Sequence, residues 1–336
     1  VFREIIVPVT FGLALFLFGM KIMETALQAW AGPRLIKLLH ASTRTPWTGL
    51  LSSTGVTAIL QSSTAMTVMT IGLVNAGLLS YAQSLGIILG GNIGTCLTTE
   101  LIALDISRIG IPLFLLSLLL WATAVMGEEM VFIQNRNLFR LLKPIQYGSL
   151  AAGGFSLIMI AITWMQSIGP ALEARGIIGW LLDHAANSLL WGAAAGAILT
   201  AIIHSSAAVI AMTMGLVGTG VLPIELGIAM VIGSNVGTCV TAWIASIGGT
   251  PSGRFVAWSH IILNVLGAIL FLPLIPVLET VASWISSDPS AQIAHTQTIF
   301  NLTCSLLALP FCYLPVWSRM GGSPMDPSGN LPPTTQ

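Results

Sequence analysis

Apolar runs long enough to cross a bilayer, about 17–25 residues each, recur through this sequence from Val7 to Trp317. They leave the chain little with which to cover a surface in water. Only 7% of its 336 residues are charged, against roughly a quarter in a soluble domain. The runs are helical in length and lack the alternating segments of about ten residues that build a membrane barrel. The sequence therefore predicts an all-α polytopic membrane protein. A net charge of zero gives no argument for nucleic acid as a partner. Cys96, Cys239, Cys304 and Cys312 sit in apolar or small-residue segments and read as buried packing residues rather than a disulfide framework.

One apolar run is interrupted by four consecutive polar residues, Gln61-Ser62-Ser63-Thr64, and a related stretch, His204-Ser205-Ser206-Ala207, follows 143 residues later. Residues 49–98 align with 192–241 at that offset without a gap, pairing Thr57 with Thr200, Asn92 with Asn235 and Thr95-Cys96 with Thr238-Cys239. Internal repeats of this size are a mark of secondary transporters.

The basic residues orient the repeats. If each polar motif lies in a re-entrant hairpin, the stretches 82–104, 109–126 and 144–165 are three crossings between the hairpins, and the repeats are inverted. Arg34, Lys37, Arg44, Arg136, Arg140, Lys143, Arg254 and Arg319 then share one side, while Arg3, Arg108 and Arg175 share the other. The richer side is expected in the cytoplasm, which puts the N-terminus outside and the C-terminus inside a cell inner (plasma) membrane. The expected fold is thus two inverted structural repeats, each a re-entrant helical hairpin followed by transmembrane helices. Repeat 1 occupies 49–165 and repeat 2 occupies 192–317, each a hairpin plus three spans. An N-terminal helix and interfacial segment (1–48), an interfacial connector (166–191) and a disordered tail (318–336) complete the expectation. The first span is placed at Val7–Ala31, with Lys21 and Glu24 as an i,i+3 pair at the membrane interface and Arg34–Arg44 as a separate basic segment on the surface. Glu128–Lys143 reads as a polar loop.

About thirteen residues precede Gln61 in its hairpin, an arm of about 20 Å as a helix, so the motif falls well inside the hydrocarbon. Irregular backbone at that depth must face protein or a water-filled cavity. The arm that restarts after the break offers free N–H groups and a positive dipole end to an anion, and Ser62, Ser63 and Thr64 add hydroxyls. Carbonyls ending the first arm, with the side-chain oxygens of Gln61 and Asn92, suit a hard cation such as sodium. Ser205 and Ser206 approach the same midplane site from the second repeat. Neither motif contains Lys or Arg, so a multivalent anion needs dipoles and co-bound cations for compensation, and such a cation lowers the cost of burying the anion. Asn92 and Asn235 read either as site residues or as helix-packing residues, and His204 either as a satisfied interface histidine or as a site residue. No paired-carboxylate motif or zinc-spaced Cys/His cluster supports an enzyme.

At these residues the chain resembles the sodium-dependent phosphate cotransporters, the type II group with its bacterial relatives. Gln61-Ser62-Ser63-Thr64 resembles their repeated Gln-Ser-Ser-Ser signature, and Gly91-Asn92-Ile93-Gly94-Thr95 and Gly233-Ser234-Asn235-Val236-Gly237-Thr238 resemble their Gly-x-Asn-Ile-Gly-Thr segments. Gly12 to Lys21 resembles the start of bacterial members, and His260-x-x-Leu263-Asn264 and Phe300-Asn301 resemble their His-x-x-Phe-Asn segments. The departures are Thr64 for serine, His204 for glutamine, Ala207 for serine, and Gln297 at the position of the last histidine. The resemblance implies sodium-coupled symport of inorganic phosphate. It also implies phosphate at Ser62, Ser63, Thr64, Ser205 and Ser206, with sodium near Gln61, Asn92, Thr95, His204, Asn235 and Thr238. Sodium would be the coupling ion, with no further cofactor and no transition metal. The partners expected are inorganic phosphate, sodium and the lipid bilayer, with a homo-oligomer left open. Transport of another oxyanion, proton coupling, and a non-transporting scaffold or sensor are the alternatives. Because His204 and Ala207 lose polar groups that Gln61 and Thr64 keep, the first copy is expected to carry more of the cation coordination.

Overall fold

Local capping chemistry cuts the apolar sequence into paired helices. The computed structural model describes residues 2–104, 109–129, 136–167, 171, 174 and 188–317, and among these the regular structure is helical throughout. The first half contains α1 (Val7–Ser42), α2 (Pro46–Leu60), α3 (Ser63–Asn75), α4 (Tyr81–Gly94), α5 (Cys96–Ala103), α6 (Gly110–Glu129) and α7 (Arg136–Gln166). The second contains α8 (Leu189–Ile203), α9 (Ser206–Gly218), α10 (Ile224–Gly237), α11 (Cys239–Ser246), α12 (Pro251–Phe271), α13 (Ile275–Ile285) and α14 (Pro289–Ala308). Among the described residues six helical stretches have the length and apolarity to cross a membrane: Val7–Leu39, Tyr81–Ala103, Gly110–Glu128, Leu142–Gln166, Ile224–Ser246 and Pro251–Ile285.

The two copies of the repeat take the same local form. In each, a helix of 15 residues ends on a left-handed residue, and a helix of 13 residues starts two positions later. The longest contact in the first copy runs between α2 and α4, and in the second between α8 and α10. Glycine makes both possible: a Cβ at Gly90 would collide with the Leu50 carbonyl oxygen, and one at Gly233 with that of Ala193. Such backbone approach is how helices gain packing energy where lipid gives no hydrophobic drive. Other contacts interchange between the copies. Helix α3 packs on α11 and α12 of the second half as well as on α4, and α9 packs on α5 and α7 of the first half as well as on α10 and α14 of its own, so each copy's second arm also touches the other half of the chain.

Three expectations need correction. Helix α1 does not end at Ala31, and Arg34–Arg44 is not a separate surface segment: the helix continues through Pro33 to Ser42. Leu39 is buried and Leu35 partly so, both packed into the cluster that holds Met66, Ile71 and Ile87 of α3 and α4, and this anchorage draws the basic segment into the helix. Lys21 and Glu24 therefore lie near the middle of the span Val7–Leu39 instead of at its edge. Residues 128–129 and 136–143 of the expected polar loop belong to α6 and α7. The rest of that loop (130–135), Arg108, most of the expected connector with Arg175, and the expected disordered tail (318–336) lie outside the described residues.

The close approach of α2 and α4 predicts opposite outcomes for two glycines. Gly90→Ala must displace backbone and is expected to lower the melting temperature in detergent, as overpacking of about 1–3 kcal/mol does. Gly55→Ala, on an exposed helical position with open space around it, is expected to leave it unchanged or raise it, because Ala favours a helix over Gly by about 1 kcal/mol. Equal effects in a thermal melt would contradict this packing.

Candidate functional site

Both polar motifs form the same unusual turn. Gln61 closes α2 with φ 56° and ψ 26°, and its N–H reaches the Thr57 carbonyl at 2.8 Å. His204 closes α8 with φ 57° and ψ 26°, its N–H 2.8 Å from the Thr200 carbonyl. Among the described residues these two alone adopt positive φ without being glycine. The left-handed region costs an L-residue roughly 1–2 kcal/mol, and such strain is kept where the surroundings or the function require it.

The next residue turns the chain into a new helix. Ser62 and Ser205 are extended (φ −142° and −145°) and cap α3 and α9, their Oγ atoms accepting the N–H of Ala65 and Ala208 at 3.3 Å. The Met66 and Val209 N–H groups reach the Ser62 and Ser205 carbonyls. That leaves the N–H groups of residues 63 and 64, and of 206 and 207, among those without an intrahelical acceptor. The hydroxyls of Ser63, Thr64 and Ser206 have no protein partner among the described residues.

These two helix starts share one cavity of about 380 Å³. Gln61, Ser62, Ser63 and Thr64 line it from the first copy, and His204, Ser205, Ser206 and Ala207 from the second. Thr95 and Thr98 face it from α5 and the break before it, and Thr238 and Thr241 from the equivalent place in the second copy. The Thr95 and Thr238 hydroxyls donate to the Asn92 and Asn235 carbonyls at 2.7 and 2.6 Å, so their lone pairs remain available. Such a cavity, ringed by amide and hydroxyl donors at two helix N-termini, has the chemistry of an anion site. Its hydroxyl and carbonyl oxygens suit a hard monovalent or divalent cation, and among the described residues no cluster of His, Cys, Asp and Glu could hold a transition metal.

Two expected site residues are placed elsewhere. Asn92 and Asn235 do not line the cavity. Asn92 donates to Asn264 Oδ1 at 3.3 Å, and Asn235 to the Val231 carbonyl at 2.9 Å within its own helix. They belong to a polar layer beneath it, in which Asn264 donates to Cys239 Sγ (3.5 Å) and Asn301 to Cys96 Sγ (3.3 Å). The four cysteines are buried, and two of them thus serve as weak acceptors as well as packing residues.

The halves are unequal. Thr98 donates to the Gln61 side-chain oxygen, while the Gln61 amide nitrogen donates to the Ala58 carbonyl. The equivalent Thr241 instead donates to the Thr238 carbonyl at 2.7 Å, and His204 stands exposed in the cavity wall without such a tether. Gln297 of α14, the position that departs from the histidine pattern, also lines the cavity, its side-chain oxygen accepting from Thr99. Sequence position alone gives Lys21 and Glu24 no place here, yet both line the cavity from α1, with Leu17 and Met20 beside them. The available signal was their charge inside an apolar span.

The Na+/Pi-cotransporter family profile matches residues 15–167 and 171–311. The chain is 31% identical over 310 residues to "Uncharacterized protein YqeW" of Bacillus subtilis, covering 92% of this chain and 95% of that one. It is 25% identical over 299 residues to "Putative inorganic phosphate export protein YjbB" of Escherichia coli, covering 89% of this chain but only 52% of that relative's length. A shorter match of 101 residues, 33% identical, links 29% of this chain to 16% of the sodium-dependent phosphate transport protein 2A of Rattus norvegicus. No solved structure matches the chain. The chain is a multi-pass membrane protein of the Na+/Pi-cotransporter family.

Proposed function

We propose that this chain is a secondary active transporter that carries inorganic phosphate together with sodium across the cell membrane. The observation that carries the reading is that two capped helix N-termini, from the two copies of the repeat, open into one cavity lined by Ser62, Ser63, Thr64, Ser205 and Ser206. Phosphate takes the hydroxyls and free N–H groups of these turns, which need no protein cation to bind an anion. Sodium takes the oxygens around Gln61, Thr95, His204 and Thr238. Asn92 and Asn235 act from beneath, fixing the carbonyls that Thr95 and Thr238 lean on.

The repeats are inverted and their broken helices are re-entrant hairpins, an arrangement that lets one half rock against the other around a fixed midplane site. The contacts of α3 with α11 and α12, and of α9 with α5 and α7, support this, since each second arm bridges its own half and the opposite one. The N-terminus lies outside and the C-terminus in the cytoplasm, following the bias of basic residues. The ion gradients set the net direction of a reversible symporter, and the name of the Escherichia coli relative favours export as the second reading.

Uptake into proteoliposomes tests the function. Sodium, but not choline, is expected to drive phosphate accumulation at both mildly acidic and neutral pH, competed by arsenate and not by sulfate. Ser62→Ala and Ser205→Ala are each expected to reduce it about tenfold or more, the loss of one hydrogen bond to a charged group. Ser117→Ala, buried in α6 away from the cavity, is expected to transport like the unmodified protein. Absence of accumulation with any anion would sink the transport reading, and equal uptake in choline would replace sodium by protons as the coupling ion.

Orientation has its own test. A cysteine at position 4, on the N-terminal side of α1, is expected to react with an impermeant maleimide added to intact cells. Labelling only after the cells are opened would reverse the assigned topology.

A further inference from the structure

Helix α1 lies outside the duplicated region, yet it contributes the charges that face the cavity. Lys21 Nζ stands 3.1 Å from Glu24 Oε2, and both side chains line the same wall as the two serine turns. Glu24 is held from behind by Gln28, whose amide donates to Oε1 at 3.0 Å. Among the described residues Lys21 has no other partner, and its side chain is 71% exposed while that of Glu24 is 16% exposed. The carboxylate is thus fixed and the ammonium is free to move. With its ammonium end exposed at the cavity wall, Lys21 can exchange its partner at little cost while Glu24 stays in place.

Resting on the phosphate and sodium reading above, we infer that Lys21 and Glu24 form a splittable ion pair that couples the two ligands. When the anion enters, Lys21 leaves Glu24 and donates to a phosphate oxygen, a charge-assisted hydrogen bond that the serine turns do not themselves supply. Glu24, left without its partner and still fixed by Gln28, becomes a carboxylate oxygen ligand for sodium, which prefers such hard donors. Without ligands the two side-chain charges face each other, and with both bound the ammonium faces the anion and the carboxylate faces the cation. Whichever ligand arrives first breaks the pair, and the second meets a charge already free. Each therefore raises the affinity for the other by the same factor, as linkage requires.

The inference predicts how two neutral substitutions change that factor. Radiolabelled phosphate binding to the purified protein is measured in sodium and in choline, for the unmodified chain and for Lys21→Gln, Lys21→Arg and Glu24→Gln, each checked for a monodisperse folded peak. Lys21→Gln is expected to weaken phosphate binding about tenfold or more in sodium, and Lys21→Arg to restore most of it. Glu24→Gln frees the ammonium without a cation, so phosphate is expected to bind more tightly in choline, and the ratio of affinities in sodium and choline to fall at least about fivefold. Where Lys21→Gln does not fold, the Glu24→Gln ratio decides alone. Variants that bind like the unmodified chain, with the same sodium ratio, would overturn the coupling pair while leaving the transport reading intact. An unmodified chain with no sodium-stimulated phosphate binding would instead remove both.

Discussion

The structure depends on breaking a helix where the surroundings are apolar. Each break strands backbone carbonyls at the end of one arm and N–H groups at the start of the next, and such groups are tolerated at depth only when something polar meets them. Here the left-handed residue returns its N–H to Thr57 or Thr200, and the following serine caps the next arm. The groups that remain are turned inward, toward the equivalent groups of the other copy. The shared cavity is therefore where two sets of unsatisfied backbone find a common place to be polar, and an anion with a cation is the natural complement.

The packing keeps that cavity in place from both sides. Gly90 and Gly233 let one helix of each copy lie against the carbonyls of its own first arm, while each second arm also packs across to the other half. A shift in either half moves one serine turn relative to the other. The inequality of the halves has a similar sense: Thr98 ties Gln61 to α5, whereas Thr241 leaves His204 untied. The first turn thus carries a side-chain tether to α5 that the second lacks.

Much of this could be read in the sequence because apolar surroundings leave few uses for Gln61-Ser62-Ser63-Thr64, and the second copy at fixed spacing fixes the equivalences. The helical class, the breaks after Leu60 and Ile203, and the meeting of the serines all follow from that. Other features depend on contacts that spacing along a helix does not encode. Asn92 turns to Asn264, 172 residues away, so a side chain expected in the site lies below it. The extent of α1 depends on Leu35 and Leu39 finding a buried cluster, and the end of the apolar run at Ala31 gives no sign of it. That longer helix moves Lys21 and Glu24 from the expected membrane edge to the cavity wall.

The central claim is that the two serine turns make one anion site between them. Equilibrium dialysis of radiolabelled phosphate against the purified protein in sodium measures this directly. A single ion bound per chain, weakened by a substitution in either turn, is the result predicted. Two ions per chain, with a substitution in one turn removing one and sparing the other, would contradict it.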